Sequence, residues 1–173
     1  MTLKKYLQQF TKEQLIEQIN ELHKKYKEVK DYYSFCLNPD EKKTVEKYKA
    51  IIYESFYPKR GFKLSLSKAR KAISDFKKLS PSPAHVADAM VYFVECGVLF
   101  TNDFGDIDES FYNSMEGMFE NACVFIRKNN LENLFKERCK KLMEDSSDIG
   151  CGFHDFLSDA YYQFFENNYF LKG

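Results

Sequence analysis

Tryptophan is absent, and glycine and proline are sparse, at seven and four residues in a chain of 173. The glycines form no phosphate-cradling loop, and H-E-x-x-H and G-x-S-x-G are missing too, so the usual signatures of nucleotide, metalloprotease and serine-hydrolase chemistry do not occur. His23, His85 and His154 are too far apart to make a zinc site, and no second Cys or His stands at ligand spacing. The paired Glu-x-x-His motifs of di-iron bundles do not occur either. The five cysteines, Cys36, Cys96, Cys123, Cys139 and Cys151, are odd in number, scattered, and never in a C-x-x-C pair. That pattern fits mostly buried thiols in a reducing, cytoplasmic setting. The longest apolar run, Ala89 to Phe100, is broken by Glu95 and falls short of the roughly 20 residues a span needs, so no membrane partner is expected. Met1 to Phe10 carries Lys4 and Lys5 with no apolar stretch behind them, so no secretory leader is expected.

What the chain does have is bulk. Aromatic residues make up 17%, all Phe and Tyr, within a hydrophobic share of 44%. A chain of this length reads as one domain, residues 1–173, able to bury roughly 70% of its unfolded surface without disulfide or structural metal. Lys and Arg balance Asp and Glu at 26 each, but unevenly along the chain. Residues 1–80 hold 19 basic and 10 acidic side chains, whereas residues 81–173 hold 7 and 16. Basic helices packed beside acidic ones would explain the split; a basic face reserved for a polyanion is the sharper alternative.

The periodicity is helical, with no sustained strand-type alternation. Pro39, Pro58, Pro81 and Pro83 all fall between periodic segments. A short segment spans residues 2–8. Thr11 and Gln14 form a capping box, after which Leu15, Ile19, Leu22, Tyr26, Val29, Tyr33 and Cys36 follow at four-three spacing, predicting one continuous helix of about six turns. Asn38, Pro39, Asp40 and Glu41 end it and start the next, where Val45, Tyr48, Ile52 and Phe56 point inward. Further helices are expected from Ser65 or Ser67 to Leu79 (Ala69, Ala72, Ile73, Phe76), from Pro83 (Val86, Met90, Phe93, Gly97, Phe100), and after an acidic loop (Phe111, Met115, Met118, Ala122, Phe125). Two more cover residues 131–144 and the stretch after Gly150-Cys151-Gly152. The prediction is an all-α fold of about eight helices in antiparallel hairpins, a bundle or a short curved array. Gly97 and Gly117, inside helices, suggest that two helix backbones approach closely there.

Phe56-Tyr57-Pro58-Lys59-Arg60-Gly61, Ala72-Ile73-Ser74-Asp75-Phe76-Lys77-Lys78-Leu79-Ser80-Pro81 and Phe100-Thr101-Asn102-Asp103-Phe104-Gly105-Asp106-Ile107-Asp108-Glu109 stand out, together with Gly152-Phe153-His154-Asp155. With these stretches the chain resembles, over nearly its whole length, a family of small, uncharacterised bacterial helical proteins catalogued only as a domain of unknown function. The resemblance implies a bacterial, one-domain protein and no particular activity.

Three stretches could carry chemistry. Between Lys59 and Lys78, eight cations face Asp75 alone. Lys59, Arg60, Lys63, Lys68, Arg70 and Lys71 flank an expected helix start, where free N–H groups and positive potential favour an anion. A solvated lysine-rich face is the plainer reading. The first two segments also resemble small helix–turn–helix nucleic-acid modules, a common shape. In the acidic loop, Asp103, Asp106, Asp108 and Glu109 offer hard oxygen ligands for Ca²⁺ or Mg²⁺, although an EF-hand register would put Phe111 where glycine is needed. A turn whose Asp106 or Asp108 caps the next helix is the simpler account. Cys151, His154 and Asp155 bring a thiol, an imidazole and a carboxylate together without any protease spacing, so a structural turn is preferred. The sequence therefore reads first as a non-catalytic interaction module for a protein partner or for itself. The alternatives are a nucleic-acid or phosphate binder and, last, a metal-dependent enzyme using the acidic loop. No cofactor is expected.

Overall fold

The computed structural model describes residues 1–37, 40–61 and 63–166. They form nine α-helices and one π-helical turn, with no strand among them. The helices are α1 (Leu3–Leu7), α2 (Lys12–Lys25), α3 (Lys27–Leu37), α4 (Glu41–Phe56), α5 (Leu66–Lys77), α6 (Pro83–Phe104), α7 (Glu109–Lys128), α8 (Glu132–Asp145) and α9 (Phe153–Tyr161), followed by the π turn Tyr162–Glu166. The chain divides into two compact units, Met1–Asp40 and Glu41–Gly173. The expected stop at Asn38-Pro39 lies outside the described residues.

In the first unit the expected capping box is present. Thr11 Oγ1 accepts from Gln14 N at 3.3 Å, and Gln14 Oε1 accepts from Thr11 N at 2.9 Å. The single helix expected from Thr11 to Cys36 is instead two. Tyr26 takes an extended conformation, φ −119° and ψ 124°, and separates α2 from α3. Its N–H still donates to Leu22 O, and its carbonyl accepts from Lys30 N, so it closes one helix and opens the next. Charge favours the break. His23, Lys24 and Lys25 sit at the negative end of α2, and Glu28 sits at the positive end of α3. The apolar spacing continues through this one-residue kink, so periodicity alone does not reveal it. No described residue of this unit is fully buried.

The second unit is organised around α6. This helix is apolar nearly all round and buries eleven of its 22 residues, among them Val86, Met90, Phe93, Val94 and Gly97. By length and composition it could cross a membrane, but 61% of its most apolar stretch is buried against the helices around it. α4, α5, α7 and α8 all pack on it, and α9 packs on α7 and α8. The expected inward residues of α4 and α5 (Val45, Tyr48, Ile52 and Phe56; Ala69, Ala72, Ile73 and Phe76) are all buried. Pro83 occupies the first turn of α6, but Ser82 makes no side-chain cap. Glu41, at the start of α4, takes over that role: both its carboxylate oxygens accept from Ser82 N at 3.2 Å, and Oε2 lies 2.7 Å from His85 Nδ1.

Of the two helical glycines, Gly97 has a packing reason. A Cβ there would overlap the Sδ and Cγ of Met115, which is fully buried on α7, whereas a Cβ on Gly117 would meet nothing. Gly97→Ala is therefore expected to destabilise the fold by about 1–3 kcal/mol, as overpacking does. Shortening Met115 to valine in the same chain should recover part of that loss, and chemical denaturation of the three variants checks it. The Glu41 cap gives a pH prediction. Hydrogen bonds from Ser82 and then His85 hold the Glu41 carboxyl below its ordinary value. A carboxylate depressed in the folded state contributes stability that is present above about pH 4.3, the ordinary glutamate value, and is lost as pH falls through the folded value. Glu41→Gln should flatten the acid limb of the stability profile. An unchanged slope below pH 5 would show that the cap contributes nothing.

A charged cluster ties α8 to the core helix. Arg138 donates from Nε and Nη2 to the two carboxylate oxygens of Glu95, at 2.6 and 2.7 Å, and from Nη1 to Asp88. Lys49 of α4 reaches Asp88 at 3.3 Å, and its ammonium lies 4.8 Å from the centre of the Tyr92 ring. Cys96 and Cys139 are buried, and burial pushes both thiols up to about 12, so they are unreactive at neutral pH.

Candidate functional site

α5 and α7 lie on either side of α6 and leave an open groove of about 450 Å³ between them. α5 contributes Arg70, Ile73, Ser74 and Lys77, spaced three, one and three apart and so on one helix face. α7 contributes Met118, Asn121, Val124, Phe125 and Lys128, and Met90 of α6 forms the floor. The walls run about 10 Å along α5 and about 15 Å along α7 at helical rise. The floor is apolar. The rim carries three cations, Arg70, Lys77 and Lys128, and none of them has a carboxylate within ion-pair distance among the described residues. The Lys77 ammonium stands 5.4 Å from the centre of the Phe125 ring, and desolvation at this position lowers its pKa from the ordinary lysine value. A lysine so placed gains from an incoming anion that restores its lost solvation.

Two of the residues expected to face the core from α7, Met118 and Phe125, are only half-buried. The helix turns Phe119 and Ile126 inward instead, and both are fully buried. The apolar stripe of α7 is therefore wider than the core needs, and its surplus edge lines the groove. In sequence, the signal for this is an apolar arc broader than one seam, with Phe119 and Ile126 beside Met118 and Phe125.

The basic stretch is only partly gathered here. Of Lys59, Arg60, Lys63, Lys68, Arg70 and Lys71, Arg70 alone lines the groove. Lys59 pairs with Glu54 at 3.0 Å, and Lys71 pairs with Asp75 at 2.8 Å. Arg60 and Lys63 are exposed in the loop before α5, and Lys68 is exposed on the first turn of α5. Lys77, another cation of the basic stretch, stands on α5 with Arg70, and only the fold brings Lys128 of α7 beside them. Ser65 caps α5 without a side-chain bond.

The acidic residues are engaged separately. Asp103 accepts from the Tyr57 hydroxyl at 2.7 Å, Asp106 from the Tyr112 hydroxyl at 2.7 Å, and Asp108 caps α7 by accepting from Phe111 N at 2.9 Å. Glu109 lies in the first turn of α7. Among the described residues, no three of His, Cys, Asp and Glu stand together as a metal-ligand group. At the entry to α9, Gly152 is left-handed (φ 73°), and His154 Nδ1 lies 3.2 Å from Met143 O and 3.1 Å from Ser146 Oγ. Ser146 Oγ itself donates to Met143 O, so the imidazole and the hydroxyl both bind the last turn of α8.

Comparison with known families matches residues 1–150 to the sequence model of a family of unknown function (DUF6155). The run Gly152 to Asp155 falls beyond the matched residues. No curated protein and no solved structure matches the chain.

Proposed function

The chain belongs to that family of unknown function, and from its own geometry we propose that it is a non-catalytic helical interaction module whose α5–α7 groove receives an acidic, amphipathic helix of a protein partner. One observation carries the reading: Arg70, Lys77 and Lys128 ring an apolar floor and have no carboxylate in ion-pair reach among the described residues. Ile73, Met90, Met118, Val124 and Phe125 would take the apolar side chains of such a helix, and the three cations would meet its acids. A helix is about 10 Å across, so an open trough two to three turns long fits one face of it. The scattered, largely buried cysteines support a cytoplasmic setting for this exchange. A bacterial origin remains part of the proposal, on the resemblance given above.

A second reading has its own support. The exposed Arg60, Lys63 and Lys68 could meet a nucleic-acid or other polyanionic backbone outside the groove. A designed helical peptide with leucines on one face and glutamates on the other separates the two. It should bind the wild-type chain, and Arg70→Glu with Lys128→Glu should weaken that binding at least tenfold by calorimetry. Binding unaffected by the double reversal, or retention on heparin abolished by reversing Lys59 and Arg60 while the peptide fails to bind, would overturn the groove reading.

A further inference from the structure

The first unit presents a surface that the groove does not explain. In residues 1–37 no side chain is fully buried, and Leu3, Ile16, Ile19, Leu22, Tyr26 and Leu37 are among the large apolar residues left exposed. A run this apolar and this regular needs a cover. Its spacing says what kind. Leu15, Ile19, Leu22, Tyr26, Val29, Tyr33 and Cys36 repeat at strict four-three intervals over three heptads, which is the seam of a two-helix coiled coil. The interruption at Tyr26 is one extended residue with neither glycine nor proline beside it. Returning Tyr26 to helical angles would restore the backbone bonds from Lys27, Glu28 and Val29 to His23, Lys24 and Lys25. The result is one helix of 26 residues, Lys12 to Leu37, about 39 Å long.

We infer that this segment opens at Tyr26 and pairs antiparallel with the same segment of a second copy, making the protein a homodimer by exchange of α3. Two features select a second copy in that orientation. In antiparallel register Leu15 meets Tyr33 of the second copy, Ile19 meets its Val29 and Leu22 meets its Tyr26, so each tyrosine faces a leucine and the aliphatic pair lies between them. A parallel pair would instead set Tyr26 on Tyr26 and Tyr33 on Tyr33. The charges agree. Residues 12–22 carry Lys12 against Glu13, Glu17 and Glu21, whereas residues 23–37 carry Lys24, Lys25, Lys27 and Lys30 against Glu28 and Asp31. Antiparallel pairing lays the acidic half of one copy on the basic half of the other, and parallel pairing sets like on like. A one-residue hinge that joins two complementary helices without burying either is the arrangement that favours exchange between copies.

Light scattering on the full chain tests this, because the dimer has twice the chain mass and dissociates on dilution. Inserting Gly-Ser-Gly-Ser after Lys25 lets α2 and α3 pair within one chain, and should weaken dimerisation at least tenfold while leaving the helical signal of residues 41–166 intact. Ile19→Asp should abolish it, and Tyr26→Leu should strengthen it. Orientation is read by disulfide trapping with oxidised glutathione in a Cys151→Ser background. Lys12→Cys should crosslink to Cys36 of the second copy and yield a covalent dimer. A wild-type chain that stays monomeric at 0.5 mM protein, or a dimer indifferent to both the insertion and Ile19→Asp, would overturn the proposal. Trapping of Cys36 to Cys36 in preference to Lys12→Cys would overturn the antiparallel pairing.

Discussion

Phe93→Ala is expected to cost about 3–5 kcal/mol, the range for emptying a fully buried phenylalanine site. Phe93 has no exposed surface and sits mid-way along α6, with its ring 5.3 Å from that of Phe56 in an edge-to-face arrangement. Phe56 in turn lies 6.3 Å from Phe100 and 6.4 Å from Phe111, so Phe93 supports, through Phe56 of α4, an aromatic cluster that reaches α7. Removing it leaves a hole that the surrounding helices cannot close, because each is fixed by its other contacts with α6. In a protein with about 5–15 kcal/mol of total stability, that loss should lower the melting temperature by roughly 10 °C. A calorimetric scan of the variant reads it directly. A shift of under 2 °C would mean that α6 is not the organising element.

Arg138→Ala should cost about 2–3 kcal/mol, although it removes no apolar core. The guanidinium neutralises Glu95 and Asp88, whose side chains are only 30% and 19% exposed. Removing it leaves two carboxylates facing each other on α6 with Lys49 alone to balance them, and an unpaired charge in a partly dry site is costly. Burial opposes the charge on Arg138, but the bonds it donates to Glu95 and Asp88, with their negative charge, more than offset that and raise its pKa. If charge is the cause, Glu95→Gln in the Arg138→Ala background should return part of the loss. A double variant no more stable than Arg138→Ala alone would assign the effect to lost packing of the long side chain instead.

Much of this fold was legible in the sequence because its signals are local. The capping box at Thr11, Pro83 at the first turn of α6, the Asp108 cap and the inward residues of α4 and α5 each depend on a few neighbouring positions. The break at Tyr26 was not legible, because one extended residue leaves the apolar period intact on both sides. Nor was the cap on α6, since its acceptor, Glu41, lies 41 residues before Ser82. The groove was half visible. Arg70 and Lys77 both fall in the basic stretch, but Lys128, which completes the rim, comes from the end of α7. Lys71, which looks the same in sequence, is neutralised by Asp75 one helical turn along. A charge run says how many cations there are, and only the fold says which of them lack an acid.

The most direct test of the interaction-module account is to follow the backbone amide signals of the full chain while the acidic amphipathic peptide is titrated in. Shifts should concentrate on residues 70–77 of α5 and 118–128 of α7, with smaller shifts at Met90 beneath them. Shifts confined to residues 59–68, or none at all, would contradict it.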